Sequence, residues 1–163
     1  MSRLPLTLGV AAGVVLLDQV TKIIAVARLE GEPPIQVIGE WLQLTFVRNS
    51  GAAFSLAGNY TIVISVLAIV VAVAIVRTAR TLTNVWWAVV LGGILGGALG
   101  NLIDRIFREP APFRGHVVDF LELPNWPVFN VADSSVVVGV CIMAAYLLLE
   151  APLGSSDQEP DNL

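Results

Sequence analysis

The chain has 163 residues, 56% of them hydrophobic and 13% charged, with a mean hydropathy of +0.79. A soluble domain is roughly 45–50% apolar and about 25% charged, so the composition is that of one integral membrane domain. The formal net charge of −4 leaves no basic surface to track a phosphate backbone, which excludes nucleic acid as a partner. The single cysteine, Cys141, has no partner for an internal disulfide and no zinc spacing around it, and reads as helix packing. A metal cluster or a Ser-His-Asp triad would rest on His116 alone, so no metal and no cofactor is expected.

A helix crosses the bilayer core with about 20 mostly apolar residues. Four stretches qualify, at about 6–27, 60–76, 85–103 and 131–149. They form a single membrane domain over 1–152, and the acidic tail at 153–163 is expected to be disordered. The expected class is an all-α membrane protein with a small β-sheet between the first two helices.

The first stretch could pass for a cleaved signal peptide, with Arg3 as its basic start and Ala25-Val-Ala27 as a cleavage site. Asp18 and Lys22 argue otherwise. They lie one turn apart with the acid N-terminal to the base, the better order for an ion pair on one helix face. The pair either neutralises itself in lipid or braces a neighbouring site, and both readings retain the helix.

The segment that follows is too polar to span. From Trp41 to Arg48 apolar and polar residues alternate as in a strand, and a partner strand near 35–38 pairs with it across Gly39 and Glu40. Open strand edges cannot face lipid, so the stretch at 35–55 should lie at the membrane surface and close with the small residues from Asn49 to Ser55. The second helix reads as featureless wall. In the third, Gly92, Gly96 and Gly100 repeat every four residues, as do Gly93 and Gly97, leaving bare backbone for close packing. That helix ends with Asn101, Asp104 and Arg105 on one face, where Arg105 is expected to pair with Asp104. The proline-rich loop at 107–115 should be exposed.

Between His116 and Ser134 the chain delivers two carboxylates, Asp119 and Asp133, joined by a loop able to fold back. Asp133 alone would read as a helix cap, favoured by the dipole of the fourth helix. Two acids at the edge of a hydrocarbon slab cost several kcal/mol to desolvate, which suggests a site. Held close, they share a proton: the charged one takes a proton from water and the protonated one donates to the carbonyl oxygen under attack. Four spans place both termini on one side of the membrane and the sheet and Asp119 loop on the other. Taken at face value, Arg28, Arg48, Arg105, Arg108 and Arg114 against Arg3, Arg77 and Arg80 point to a cytoplasmic sheet; setting Arg48 and Arg105 aside as site residues levels the count. Two other classes compete: a small proton-coupled transporter relaying protons through Asp18, Asp104 and Asp133, and a scaffold pairing helices through its glycines. Convergence of the acids at one point favours the paired-acid chemistry over the carrier.

Five blocks, Asp18-Gln-Val-Thr-Lys22, Asn49-Ser-Gly-Ala-Ala-Phe54, Gly97-Ala-Leu-Gly-Asn-Leu-Ile-Asp-Arg105, Val117-Val-Asp-Phe120 and Phe129-Asn-Val-Ala-Asp-Ser134, closely resemble in this order the motifs of bacterial lipoprotein signal peptidase, or signal peptidase II. The resemblance implies a membrane-embedded aspartyl endopeptidase that cleaves a diacylglyceryl-modified prolipoprotein before its lipidated cysteine. It implies Asp119 and Asp133 as the catalytic pair. Asn49, Asn101, Arg105 and Asn130 would line the substrate groove, with Gly97 and Ala132 among the binding or supporting residues. Asp104 would support Arg105, and Asp18 with Lys22 would brace the first helix. It further implies a monomer among membrane lipid in the bacterial inner membrane, with termini inside and the active site near the outer face, against the raw arginine count.

Overall fold

The computed structural model describes residues 2–51, 57–110 and 112–150. The expected tail at 153–163 and most of the small-residue turn after Gly51 lie outside them. Four helices form where the apolar runs predict: α1, Leu4–Leu29; α2, Ala57–Ala79; α3, Val85–Phe107; and α4, Val131–Glu150. Each contains a stretch long and apolar enough to cross a bilayer. Each extends a little past the apolar core of its sequence signal. Thus α3 runs on through Asn101, Asp104 and Arg105. Its start is fixed by Asn84, whose side chain accepts from Trp86 N and Trp87 N.

α3 is the central helix, and its two glycine rows contact two different partners. A Cβ on Gly96 would meet Val14 Cβ of α1 at 2.6 Å, and one on Gly97 would press against Ala132 O and Val136 of α4. Lipid is as apolar as leucine, so helices in a bilayer associate through close backbone packing and hydrogen bonds, and bare rows permit it. The outward faces carry large exposed apolar side chains, among them Leu16 and Ile23 of α1, Val63 and Leu67 of α2, and Val137 and Leu147 of α4. Cys141 also faces outward, so it does not serve the helix packing expected of it.

Strands β1, Ile35–Ile38, and β2, Leu42–Asn49, form the expected hairpin, with Gly39 at a φ of +51° in the turn. A third strand, β3, Val117–Glu122, joins from the α3–α4 connection and pairs antiparallel with β2, giving the order β1-β2-β3. The sequence showed no third strand there: β3 is only six residues, and four of them are buried together without alternation. The sheet rests on the last turns of α1, where Ala25 and Leu29 pack with Val118 and Phe120. At the opposite end Arg3 N donates to Leu82 O at 2.9 Å, so the N-terminus lies beside the α2–α3 turn, away from the sheet.

α2 is less featureless than its sequence suggests. Thr61 Oγ1 donates to Ser50 O at 2.6 Å, and Ser65 Oγ reaches Phe113 O at 3.2 Å, tying this helix to the loops around the sheet.

Candidate active site

Asp119 enters the site from the middle of β3 and is 1% exposed. Val47 of β2 stands opposite it, so Asn49, two residues along, lies diagonally across on the same face. The Asn49 amide Nδ2 donates to Asp119 Oδ2 at 2.8 Å, while its Oδ1 accepts from Gly51 N at 2.8 Å and fixes which way the amide points. Gly51 sits at a φ of +81°, which a residue without Cβ adopts freely.

Asp133 comes from the first turn of α4. Its backbone N–H donates to Asn130 Oδ1 at 3.0 Å, and its Oδ2 accepts from Asn130 N at 3.2 Å, a reciprocal capping box. Capping is therefore one role of this aspartate, and it uses one oxygen. The other, Oδ1, accepts from Asn101 Nδ2 of α3 at 2.7 Å. The link to Asp119 is Asn130 itself, whose Nδ2 donates to Asp119 Oδ1 at 2.6 Å. One asparagine thus holds both acids. It can do so because Phe129 bridges back to Leu121, closing the loop after β3 so that the α4 cap returns beside Asp119.

Burial, with a smaller contribution from the Asp133 charge, pushes the Asp119 carboxyl up to about 6 against the opposing pull of its hydrogen bonds from Asn49 and Asn130. A carboxyl held there stays protonated far more readily than one in water. Asp119 and Asp133 thus lie on either side of Asn130, which bonds one oxygen of each.

A second layer of charge lies directly behind. Lys22 Nζ sits 2.9 Å from Asp18 Oδ2, 2.7 Å from Asp104 Oδ2 and 2.9 Å from Asn101 Oδ1, so all three of its donors are used. Asp18 is thus on the face predicted for it, and its Oδ1 also accepts from Ala132 N at 2.9 Å, joining α1 to the start of α4. Gly97 and Ala132 meet at the α3–α4 contact just below Asp133.

Arg105 departs from expectation. Asp104 is occupied by Lys22 and by Arg108, whose Nε lies 2.6 Å away, and makes no ion pair with Arg105. The reason is geometric: i and i+4 face each other on a helix, whereas neighbours diverge. Arg105 instead points toward the aspartates, within electrostatic reach of Asp119 and Asp133, and its Nη1 is buried without a hydrogen-bond partner among the described residues. Arg48, also considered for the site, pairs with Glu30 in an exposed bridge. Two residues went unnoticed in the sequence. Arg108 could have been found from its i+4 spacing to Asp104. Gln19 had only adjacency to Asp18 as a signal; its Nε2 bonds Gly100 O at 3.0 Å and Asp18 Oδ2 at 3.1 Å.

A cleft of about 380 Å³ opens between α2, α3 and α4, walled by apolar residues such as Leu67, Val71 and Val136 and ending at Asn101, Arg105 and Asp133. A second, of about 290 Å³, lies on the other side of the start of α4 between Trp126, Phe129 and Val138, and also reaches Asp133. Asp18, Asp104 and Asp133, the acids a proton relay would use, gather at this one end of the helices instead of forming a string across the bilayer as a proton carrier would require.

Four membrane-spanning helices carrying a small sheet, with paired acids where sheet and bundle meet, define a multi-pass membrane protein whose site has the character of an aspartic peptidase. A family model described as signal peptidase (SPase) II matches residues 10–149, and the chain belongs to that family. It is 56% identical over 141 residues to the lipoprotein signal peptidase of Mycobacterium avium (strain 104), covering 86% of this chain and 78% of that one. With the lipoprotein signal peptidase of Mycobacterium leprae (strain Br4923) the identity is 55% over 141 residues, covering 86% and 70%. A solved bacterial membrane enzyme superposes with a TM-score of 0.78 at 31% identity, covering 88% of this chain and 93% of the other. The protein is thus an aspartic-type peptidase of a bacterial membrane, in a family that processes lipoproteins.

Proposed function

We propose that this chain removes the signal peptide from diacylglyceryl-modified prolipoproteins by cutting just before the lipidated cysteine, with Asp119 and Asp133 activating water. The observation that carries this reading is the shared Asn130, which holds one oxygen of each aspartate. Asp119, the more deeply buried acid, carries the shared proton, and Asp133, bonded by two N–H groups at a helix N-terminus, is the anion. Water between them gives a proton to Asp133 while its oxygen attacks the scissile carbonyl carbon, and Asp119 protonates the carbonyl oxygen. In the collapse of the tetrahedral diol, the hydroxyl proton returns to Asp119 as the carbonyl reforms. The C–N bond breaks, and Asp133 protonates the departing amine. Arg105, whose Nη1 has no partner among the described residues and lies at the polar end of the larger cleft, binds a substrate carbonyl there.

The two apolar clefts that meet at Asp133 suit a substrate with apolar parts on both sides of the cut, one a signal peptide and the other a pair of acyl chains. The enzyme acts as a monomer among membrane lipids, with both termini in the cytoplasm and the site near the outer face of the cytoplasmic membrane. This orientation agrees with the arginines once partners are assigned. Arg48 and Arg108 are paired and Arg105 lines the cleft, leaving Arg28 and Arg114 against Arg3, Arg77 and Arg80.

The test is cleavage of a diacylglyceryl-modified prolipoprotein peptide by the purified protein in detergent. Asp119→Asn and Asp133→Asn should each lower kcat by at least about 10³-fold, in the range seen when a member of a catalytic unit is removed, and EDTA should have no effect. Either variant cutting at near wild-type rate would overturn the assignment, and EDTA inhibition would overturn the metal-free mechanism.

A further inference from the structure

Lys22 is buried at 0% exposure, behind rather than within the pair of acids, and touches neither of them. Its position nevertheless determines how one of them is held. Asn101 contacts Asp133 through an amide, and an amide has two ends of opposite sense: if it turned over, Oδ1 would face the carboxylate and repel it. The turn is blocked from the far side. Asn101 Oδ1 accepts from Lys22 Nζ at 2.9 Å and from Asn130 Nδ2 at 3.2 Å, and neither donor could bond an NH2 group in its place. Only one orientation satisfies all three neighbours, and it is the one that sends Nδ2 to Asp133 Oδ1 at 2.7 Å. Charge reinforces the effect, since a hydrogen bond from an ammonium polarises the amide and strengthens donation from its other end.

We infer that Lys22 is a positioning residue for the reaction: through Asn101 it fixes the N–H donor that holds Asp133 Oδ1, in addition to tying α1 to α3. The inference rests on the reading of Asp119 and Asp133 as the water-activating pair. Groups bearing on that pair come from every element around it: Lys22 from α1, Asn49 from β2, Asn101 and Arg105 from α3, and Asn130 from the start of α4. Removing the lysine takes away the charged and shorter of the two bonds that hold Asn101 Oδ1, leaving only Asn130 Nδ2 at 3.2 Å against a turn of the amide, and takes a cation from behind the pair. Turnover should fall, and the pH profile should move upward.

Lys22→Met alone would strand Asp18 and Asp104, so the test uses a background in which the charges still balance. With Asp18→Asn as the reference, the double variant Asp18→Asn/Lys22→Met leaves Asp104 paired with Arg108. Relative to the reference, the double variant should lose about tenfold or more in kcat with KM within about twofold, while both limbs of its pH profile shift upward. Asp18→Asn/Lys22→Gln, which restores a neutral donor, should recover kcat to within about threefold of the reference while its profile stays shifted. Equal kcat and an unmoved profile in the methionine variant would reduce Lys22 to a structural brace. Should that variant fail to fold, the glutamine variant decides alone, and an unmoved profile there overturns the inference. Asp133→Asn is assayed alongside: if it still cleaves, the failure belongs to the proposed pair and not to Lys22.

Discussion

A buried carboxylate is a standing cost to the fold, and Asp119 makes that cost measurable. Its carboxyl is raised from 3.8 to about 6, chiefly by burial, a difference worth about 3 kcal/mol. Between those values the folded protein holds a proton that the unfolded chain has released. Stability therefore falls as pH rises through this window and is lowest, as far as this group is concerned, above it. Asp119→Asn should consequently abolish cleavage yet raise the thermal midpoint at neutral pH by an amount equivalent to about 1–2 kcal/mol. The full gain is not expected, because either Asn49 or Asn130 would then face an NH2 group instead of an oxygen. The advantage should shrink as pH falls through about 6 and be gone before pH reaches 3.8, where only the amide mismatch remains. Thermal unfolding of both proteins in detergent across that range checks it, and a lower midpoint for the variant at neutral pH would contradict the picture.

At the level of elements, the site depends on how closely α3 approaches α4. Gly97 lies against the carbonyl of Ala132, the residue before Asp133, and a Cβ there would also stand 2.7 Å from Val136 Cγ2. A backbone carbonyl cannot rotate aside, so Gly97→Ala must push α4 outward. Overpacking of this kind costs about 1–3 kcal/mol, and here the displaced turn carries an aspartate, so kcat should fall at least about tenfold together with the midpoint. Gly93→Ala is the matched control. Its Cβ would meet Ser135 Oγ at 3.3 Å, a hydroxyl that can turn away at the loss of one bond to Gly93 O. It should lower the midpoint modestly and leave kcat within about twofold. Equal damage from both would mean that helix spacing at the Ala132 turn is unimportant for turnover.

For the whole molecule, the decisive question is which way it sits in the membrane. The Trp41 end of the hairpin and the α2–α3 turn near Leu82 mark opposite ends of the bundle, and Trp41 is 75% exposed. In a background with Cys141→Ser, Trp41→Cys should react with a membrane-impermeant maleimide on intact cells. Thr81→Cys should react only after the membrane is opened. The reverse pattern would place the site in the cytoplasm and remove the proposed substrate.

Much of the protein was legible without coordinates. Hydropathy alone fixed four spans, because the bilayer leaves so few ways to satisfy a backbone. Alternation revealed the hairpin, and the i, i+4 spacing of Asp18 and Lys22 announced their ion pair. Glycine spacing predicted close packing, although it could not say that one row faces α1 and the other α4. What the chain order could not show was any relation made across elements. The short strand holding Asp119 exists because β2 provides an edge for it to pair with. Asp104 also bonds Lys22, a cation that chain order could not place beside it because it comes from α1. The meeting of two acids on Asn130 depends on a loop closed by a single bridge between Leu121 and Phe129. Local periodicity is written in neighbouring residues and survives in the sequence; convergence of residues from α1, β2, β3, α3 and α4 is a property of packing, and only the tertiary structure decides it.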